Sequence, residues 1–258
     1  MPIAFITGAT AGFGRAIATQ LAEHGWNVII CGRRQERLRM LEKELSETYG
    51  IQVLSLPFDV RIHSEVKNAI HSIPHHWKEI DVLVNNAGLA SGLSLIHEGD
   101  IADWETMIDT NLKGLLYVSK EIMPWMVKRS KGHIVNIGSI AGKEAYLKGN
   151  VYCATKHAVD AISKSMRIDM LPYGIKVTAI HPGAAETEFS VVRFKGDAAR
   201  ADQVYQGYEP LRADDIADTV YFAVTRPAHV VINEMVITPL AQANTSHLVR
   251  QANETGKP

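Results

Sequence analysis

Only two cysteines, Cys31 and Cys153, occur in the 258 residues. So few cannot make a disulfide framework, and a reducing compartment is expected. Neither charge is in excess: 27 Lys and Arg face 28 Asp and Glu, for a net −1. That balance gives no reason to expect a nucleic acid or an anionic membrane surface as partner. No apolar run reaches the ~18 residues of a membrane span. Aromatic residues make up 7% of the chain, and Trp77, Trp104 and Trp125 fall at helix-like positions, as core or interface. His71, His75 and His76 cluster, but Pro74 interrupts that helix and no carboxylate or cysteine completes a ligand set, so no metal is expected. Met1 leads at once into an apolar run with no basic leader, and the expectation is a soluble, cytoplasmic protein. There is no linker, repeat or low-complexity tract. One domain over residues 1–258 is expected, with 251–258 as a loose polar tail.

What is present is a strand–helix rhythm. Ile3–Thr7, Val28–Cys31, Val53–Leu56, Val82–Val84, Ile134–Ile137, Lys176–Ile180 and Met235–Ile237 read as short buried strands. Helical patterns fill the intervals: Gln35–Tyr49 is charged and amphipathic, and the longest are about Trp104–Arg129 and Val151–Leu171. Strands separated by helices imply right-handed crossovers, hence a doubly wound α/β fold whose seven-stranded parallel sheet is covered on both faces.

Two motifs carry chemistry. The first strand runs into Gly8-Ala-Thr10-Ala-Gly12-Phe13-Gly14, and a helical pattern begins at Arg15. Strand, glycine loop and helix is the context of a dinucleotide-binding turn, in which backbone amides reach a pyrophosphate at the helix N-terminus. The second motif is Tyr152-x-x-x-Lys156, one helical turn apart on one face, with Ser139 ahead of it after a strand. Free tyrosine titrates near ~10. A cation held against the phenol lowers that value, so the pair is a candidate general acid/base, and the serine can bind the oxygen that exchanges the proton.

Thr7-Gly-x-x-x-Gly12-x-Gly14, Asp59-Val60, Asn85-Asn86-Ala87-Gly88, Asn111, Ser139, Tyr152-x-x-x-Lys156 and Pro182-Gly183-x-x-x-Thr187 stand in the order seen in short-chain dehydrogenases/reductases. The resemblance covers about residues 3–240 and implies a Rossmann-type fold. Within the family the chain looks closest to bacterial NADP-dependent 3-hydroxy acid dehydrogenases. The segments that carry this are Gly32-Arg-Arg-Gln-Glu-Arg37, Asp103-Trp-Glu-Thr-Met-Ile-Asp-Thr-Asn111, Gly149-Asn-Val-Tyr152 and Glu188-Phe-Ser-Val-Val-Arg-Phe-Lys-Gly-Asp197. By that resemblance Asn111 holds a helix bend and a water in a proton relay with Ser139, Tyr152 and Lys156. Asp59 and Val60 bracket the adenine, Asn86, Ala87 and Gly88 pass under the cofactor, and Pro182, Gly183 and Thr187 also contact it. Residues 184–212 form a substrate lid, and two long helices pair across subunits into a homotetramer.

Strand 2 should end beside the adenosine ribose, where a carboxylate accepts from the 2′-hydroxyl of NAD and an arginine pairs with the 2′-phosphate of NADP. Arg33 and Arg34 stand at that point with no carboxylate before Glu36, so NADP(H) is the expected cofactor. For the substrate, Arg193 and Lys195 flank Phe194, and a guanidinium matches a carboxylate or sulfonate bidentately. Arg193 is the expected acid-group anchor, with Tyr146 and Asn150 as further substrate contacts beside Ser139 and Tyr152. Glu186 brings a negative charge into a Pro-Gly turn one residue shorter than in the resembling group, which leaves the choice among semialdehydes and sulfoacetaldehyde open. The expected reaction interconverts a short 3-hydroxy acid and its semialdehyde, and a ketone or steroid reductase with an apolar pocket is the runner-up. A redox-silent NADP-binding regulator would not need Ser139, Tyr152 and Lys156 together. An isomerase or epimerase usually carries a longer C-terminal lobe.

Overall fold

A computed structural model describes residues 1–251. Seven strands, β1 (Ile3–Thr7), β2 (Asn27–Gly32), β3 (Val53–Pro57), β4 (Val82–Asn85), β5 (His133–Ile137), β6 (Lys176–Pro182) and β7 (Glu234–Ile237), form one sheet in the order β3-β2-β1-β4-β5-β6-β7. Every neighbouring pair is parallel. Side chains alternate across the sheet with period two. Ile3 and Phe5 of β1 therefore join one core with Ile29, Leu83, Ile134 and Val177, while Ala4 and Ile6 join the other with Val28, Ile30, Val84 and Val135.

The helices α1 (Gly12–Glu23), α2 (Gln35–Tyr49) and α9 (Ala213–Val224) cover the second of these faces through Ile17, Leu21, Leu38, Leu45, Ile216 and Val220. Helices α3 (His63–His71), α5 (Leu115–Arg129) and α6 (Asn150–Met170) cover the first through Val66, Ile70, Val118, Ile122, Val159 and Met166. Helix α4 (Ile101–Ile108) precedes α5, and two short helices, α7 (Glu188–Arg193) and α8 (Ala198–Gln203), follow β6. The strand order reverses between β1 and β4, and in open α/β sheets ligands bind outside the carboxyl ends of the strands at such a point.

Besides strand ends that move by a residue or two, two helix starts and one helix interior differ from the sequence reading. Helix α1 begins at Gly12 rather than Arg15, so the last two loop glycines are already helical. The long helix expected from Trp104 begins at Ile101, where the Asp100 side chain caps it by accepting from Ala102 N. It is then interrupted by a π-helical turn, Asp109–Gly114, that carries Asn111. The expected loose tail, 251–258, lies outside the described residues but for Gln251. Among the described residues no helix is long and apolar enough to cross a membrane.

Candidate active site

The carboxyl ends of β1 and β4 are locked together by side-chain bonds to backbone. Thr7 Oγ1 accepts from Asn86 N at 3.0 Å and Ala87 N at 2.9 Å, and the Asn86 amide donates to Thr7 O at 2.8 Å. Gly8 then takes a φ of +68°, in the left-handed region that favours glycine. A Cβ on Gly14 would collide with the Gly8 carbonyl oxygen and the Asn86 amide, so the first turn of α1 can press on the loop only because that residue is glycine. Deeper in the sheet, Asn85 donates to Ser119 and to Asn136, both at 2.9 Å.

These elements form one wall of a cleft of about 660 Å³, within the range of ligand sites. It is lined by Gly8, Thr10, Gly12, Phe13, Arg33, Arg34, Asp59, Val60, Asn86, Ala87, Gly88, Tyr152, Lys156, Pro182, Gly183 and Thr187, which is the whole expected cofactor set except Gly14. Gly14 acts from behind, through the packing just described. The hydroxyl of Thr110, also on this lining, is buried without a hydrogen-bond partner.

Tyr152 and Lys156 share the buried face of α6, and Ser139 sits just beyond β5. Lys156 Nζ donates to Ile137 O at 3.0 Å and lies 6.0 Å from the centroid of the Tyr152 ring. Burial brings the Lys156 ammonium down to about 8 from its ordinary 10.5. Burial also pushes the Tyr152 phenol well above its ordinary value, and Tyr146 adds to this against smaller opposing effects of Ser139 and Arg193. In this structure desolvation is the largest influence on the phenol, and Lys156 donates to a backbone carbonyl. Ser139 Oγ accepts from Ala141 N at 3.1 Å.

Asn111 is buried in the π turn. Its Oδ1 accepts from Leu89 N at 2.8 Å, and its Nδ2 donates to Leu89 O at 2.8 Å and to Thr155 Oγ1 at 3.1 Å. It does not line the cleft but clasps the loop that follows Gly88 and ties it to α6. A Cβ on Gly88 would lie 3.3 Å from Asn111 Oδ1 and 3.5 Å from Lys156 Nζ, so the asparagine and the lysine flank the same backbone.

At the other end of the cleft, Asp59 is held by Arg61 through bonds of 2.6–3.1 Å. Burial would raise the Asp59 carboxyl, but the Arg61 guanidinium holds it below the usual range. Arg33 reaches Asp59 only at 3.8 Å. Arg34 donates to Thr10 Oγ1 from two nitrogens, at 3.1 and 2.8 Å, and to Glu188 at 2.9 Å.

The opposite wall comes from residues after β6. Thr187 caps α7 by accepting from Phe189 N, and its side chain packs within 3.4 Å of where a Gly12 Cβ would stand. The Arg193 guanidinium lies 5.6 Å from the Tyr146 ring and 5.8 Å from the Tyr152 ring. Lys195 is turned away, paired with Asp103 at 3.0 Å and Asp100 at 3.7 Å. Ser139, Tyr146 and Arg193 therefore meet Tyr152 in the cleft, whereas Asn150 does not. Its amide donates to Ser94 O at 2.8 Å, and it lines a small adjoining cavity together with Tyr152 and Arg193. Glu186 is also off the lining, its backbone bonded to Leu211 O. His181 is fully buried behind the serine, its Nδ1 3.2 Å from Ser139 O.

The sequence reading missed Glu188, Tyr205, Gln242 and Arg250, all of which line the cleft. Gln242 Oε1 accepts from Ala184 N at 2.7 Å, and the Tyr205 hydroxyl donates to Ala185 O at 2.8 Å. No spacing in the sequence announces these long-range contacts.

A family model described as short chain dehydrogenase matches residues 2–197. An NADP-dependent 3-hydroxy acid dehydrogenase of Salmonella typhi is 48% identical over 242 residues, covering 93% of this chain and 96% of its own. Sulfoacetaldehyde reductase 2 of Chromohalobacter salexigens is 43% identical over 242 residues, 93% and 95% of the two chains. Among solved structures, the closed form of serine dehydrogenase complexed with NADP+ superposes with a TM-score of 0.90 at 44% identity, over 97% of this chain and 100% of that one.

Proposed function

The chain belongs to the short-chain dehydrogenase family, and from that premise we propose that it is an NADP(H)-dependent oxidoreductase interconverting a short 3-hydroxy acid and its semialdehyde. When bound, the nicotinamide supplies or accepts the hydride at the carbinol carbon. The residues present fit such a cofactor: the Gly8–Gly14 loop offers backbone amides, Arg33 and Arg34 offer cations at the end of β2, and Thr110 offers an unpartnered hydroxyl.

Tyr152 holds the proton at its phenol oxygen and donates it to the carbonyl oxygen in reduction, or takes it back in oxidation. Burial keeps the phenol in its protonated form, the form that donates in reduction. Positive charge at the nicotinamide and at Lys156 assists the reverse transfer. Ser139 hydrogen-bonds the reacting oxygen. With a dinucleotide bound, Lys156 would hold the nicotinamide ribose, and Asn111 holds the backbone past which a water would pass protons to it. Cofactor contacts fall to Gly8, Thr10, Gly12, Phe13, Asp59, Val60, Asn86, Ala87, Gly88, Pro182, Gly183 and Thr187, with 184–212 as the lid.

The observation that carries the substrate class is the Arg193 guanidinium against both Tyr146 and Tyr152, with Lys195 tied elsewhere. A carboxylate paired to Arg193 sets a three-carbon semialdehyde with its carbonyl toward Tyr152 and Ser139. A sulfonate satisfies the same fork, and the relative from C. salexigens makes sulfoacetaldehyde reduction the second reading. A homotetramer pairing the outer faces of α5 and α6 is the assembly we expect; Leu116, Ile168 and Leu171 stand exposed there. Buried free thiols at Cys31 and Cys153 suit a cytoplasmic setting.

The experiment is the initial rate of NADPH oxidation with malonic semialdehyde, sulfoacetaldehyde and a neutral aldehyde of similar size. Preference for one acid over the neutral aldehyde is expected. Equal rates on all three would remove the anionic substrate and leave a reductase of apolar carbonyls.

A further inference from the structure

Resting on the NADP(H) reading, we propose that Glu188 is a cofactor-retention residue, a carboxylate strap that closes α7 over the adenosine half of the cleft by gripping Arg34 and Arg37. The strap leaves Arg33 as the arginine that meets the 2′-phosphate.

Glu188 is the first residue of α7. Its Oε2 accepts from Arg34 Nη1 at 2.9 Å and its Oε1 from Arg37 Nη1 at 2.7 Å, across 154 and 151 positions of sequence. Both carboxylate oxygens are used. Thr10 takes the Nε and Nη2 edge of Arg34, so all three nitrogens of that guanidinium are engaged. One cluster thereby joins the glycine loop, the start of α2 and the start of α7. Arg33 differs from its neighbour: its side chain is 58% exposed, and its nearest carboxylate, Asp59 at 3.8 Å, already bonds Arg61. Of the two tandem arginines, Arg33 is the one with donors to give a phosphate.

The far end of α7 is fixed independently. Arg193 O accepts from Gly92 N at 3.0 Å, and Lys195 beyond it pairs with Asp103. Helix α7 is thus a short bar across the cleft, with Arg193 at the substrate end and Glu188 at the adenosine end. The substrate end is held by a backbone bond as well as an ion pair. At the adenosine end the Glu188 grip is made by side chains alone, half-exposed to solvent, so this is the end that yields when a dinucleotide leaves.

The test is the release rate of NADPH and of NADH, followed by stopped-flow displacement using the fluorescence of the bound reduced nicotinamide, for wild type, Glu188→Gln, Arg37→Met, Arg33→Ala and Arg34→Ala. Exposed ion pairs are individually weak, so Glu188→Gln should release both nucleotides about three- to tenfold faster, with the NADPH preference kept. Arg37→Met should act in the same direction, and the double variant should add little. The difference from wild type should shrink in 1 M KCl, where the screening length falls to about 3 Å. Arg33→Ala should abolish the NADPH preference, whereas Arg34→Ala should speed release of both nucleotides. Selective tightening of NADPH by Glu188→Gln would show instead that the carboxylate competes with the phosphate, and unchanged release of both would show an idle surface pair. Loss of preference with Arg34→Ala but not Arg33→Ala would overturn the division between the arginines. A wild type that binds neither nucleotide would overturn the cofactor reading itself, and the strap with it.

Discussion

Removing the guanidinium that faces Tyr146 and Tyr152 tests the substrate assignment at its weakest joint. In Arg193→Ala, a substrate carboxylate loses a bidentate, charge-assisted partner. Hydrogen bonds to charged groups are worth roughly 1.5–3 kcal/mol each, and a carboxylate left in the cleft regains part of that from water. A net loss of about 2–4 kcal/mol corresponds to a fall in kcat/KM of roughly 30- to 1000-fold for the acid. Arg193 Nε donates a long bond, 3.4 Å, to Gly92 O, so collapse of the wall should contribute little. A neutral aldehyde of the same size measures that collapse directly and should keep its kcat/KM within about threefold. Arg193→Lys restores charge without the planar fork and should fall between. The assay is NADPH oxidation at limiting substrate. An equal fall for acid and neutral aldehyde would refute the reasoning, because the arginine would then be shaping the cleft rather than holding an anion.

Other outcomes follow from buried charge. His133 is buried and bonded to Thr178, and burial, with Lys176 adding, lowers it from 6.5 to about 4. The unfolded chain takes up this proton below 6.5 while the folded protein refuses it until 4, so stability falls with pH across that window by about 3 kcal/mol. In His133→Gln, urea titrations at pH 7 and pH 4.5 should show that share of the acid loss gone. Lys156 has the opposite window: with a folded value of about 8 against 10.5, folding stability rises as pH increases between the two. The stability difference between wild type and Lys156→Met should therefore shift by about 3 kcal/mol in favour of wild type from pH 7.5 to pH 10.5. A flat difference would place the ammonium in water. Asn111→Ala removes three bonds to Leu89 and Thr155 and should cost about 2–3 kcal/mol in urea denaturation, with activity lost more steeply than stability.

The parts of the molecule written in local pattern could be read from the sequence. The buried runs became β1–β7 to within a residue or two, and Gln35–Tyr49 is the helix the charge pattern predicts, because its Leu38, Leu41 and Leu45 recur at helical spacing. Ser139, Tyr152 and Lys156 converge because they sit at the end of a strand and along one helix face. The π turn at Asp109–Gly114 was hidden because the apolar period continues through it and only the backbone changes. Glu188 was hidden for another reason: as the partner of Arg34 it is distant in sequence, and nothing local in a short helix names its contact. Asn150 lies with Tyr152 and Arg193 on a small side cavity, its amide turned to Ser94, an orientation that adjacency in sequence does not give. How deeply Tyr152 is buried is likewise not written in the spacing, which gives only the position of the cation one turn away.

The most direct measurement of the central claim is NADPH-dependent reduction of a three-carbon semialdehyde by wild type and Tyr152→Phe, with NADPH affinity determined on the same preparations. The account predicts that the variant binds NADPH as wild type does and loses roughly 10²–10⁴-fold in turnover, the share that a positioned general acid supplies. A variant that binds NADPH and turns over within about tenfold of wild type would contradict it, since the proton would then be reaching the carbonyl oxygen from another group.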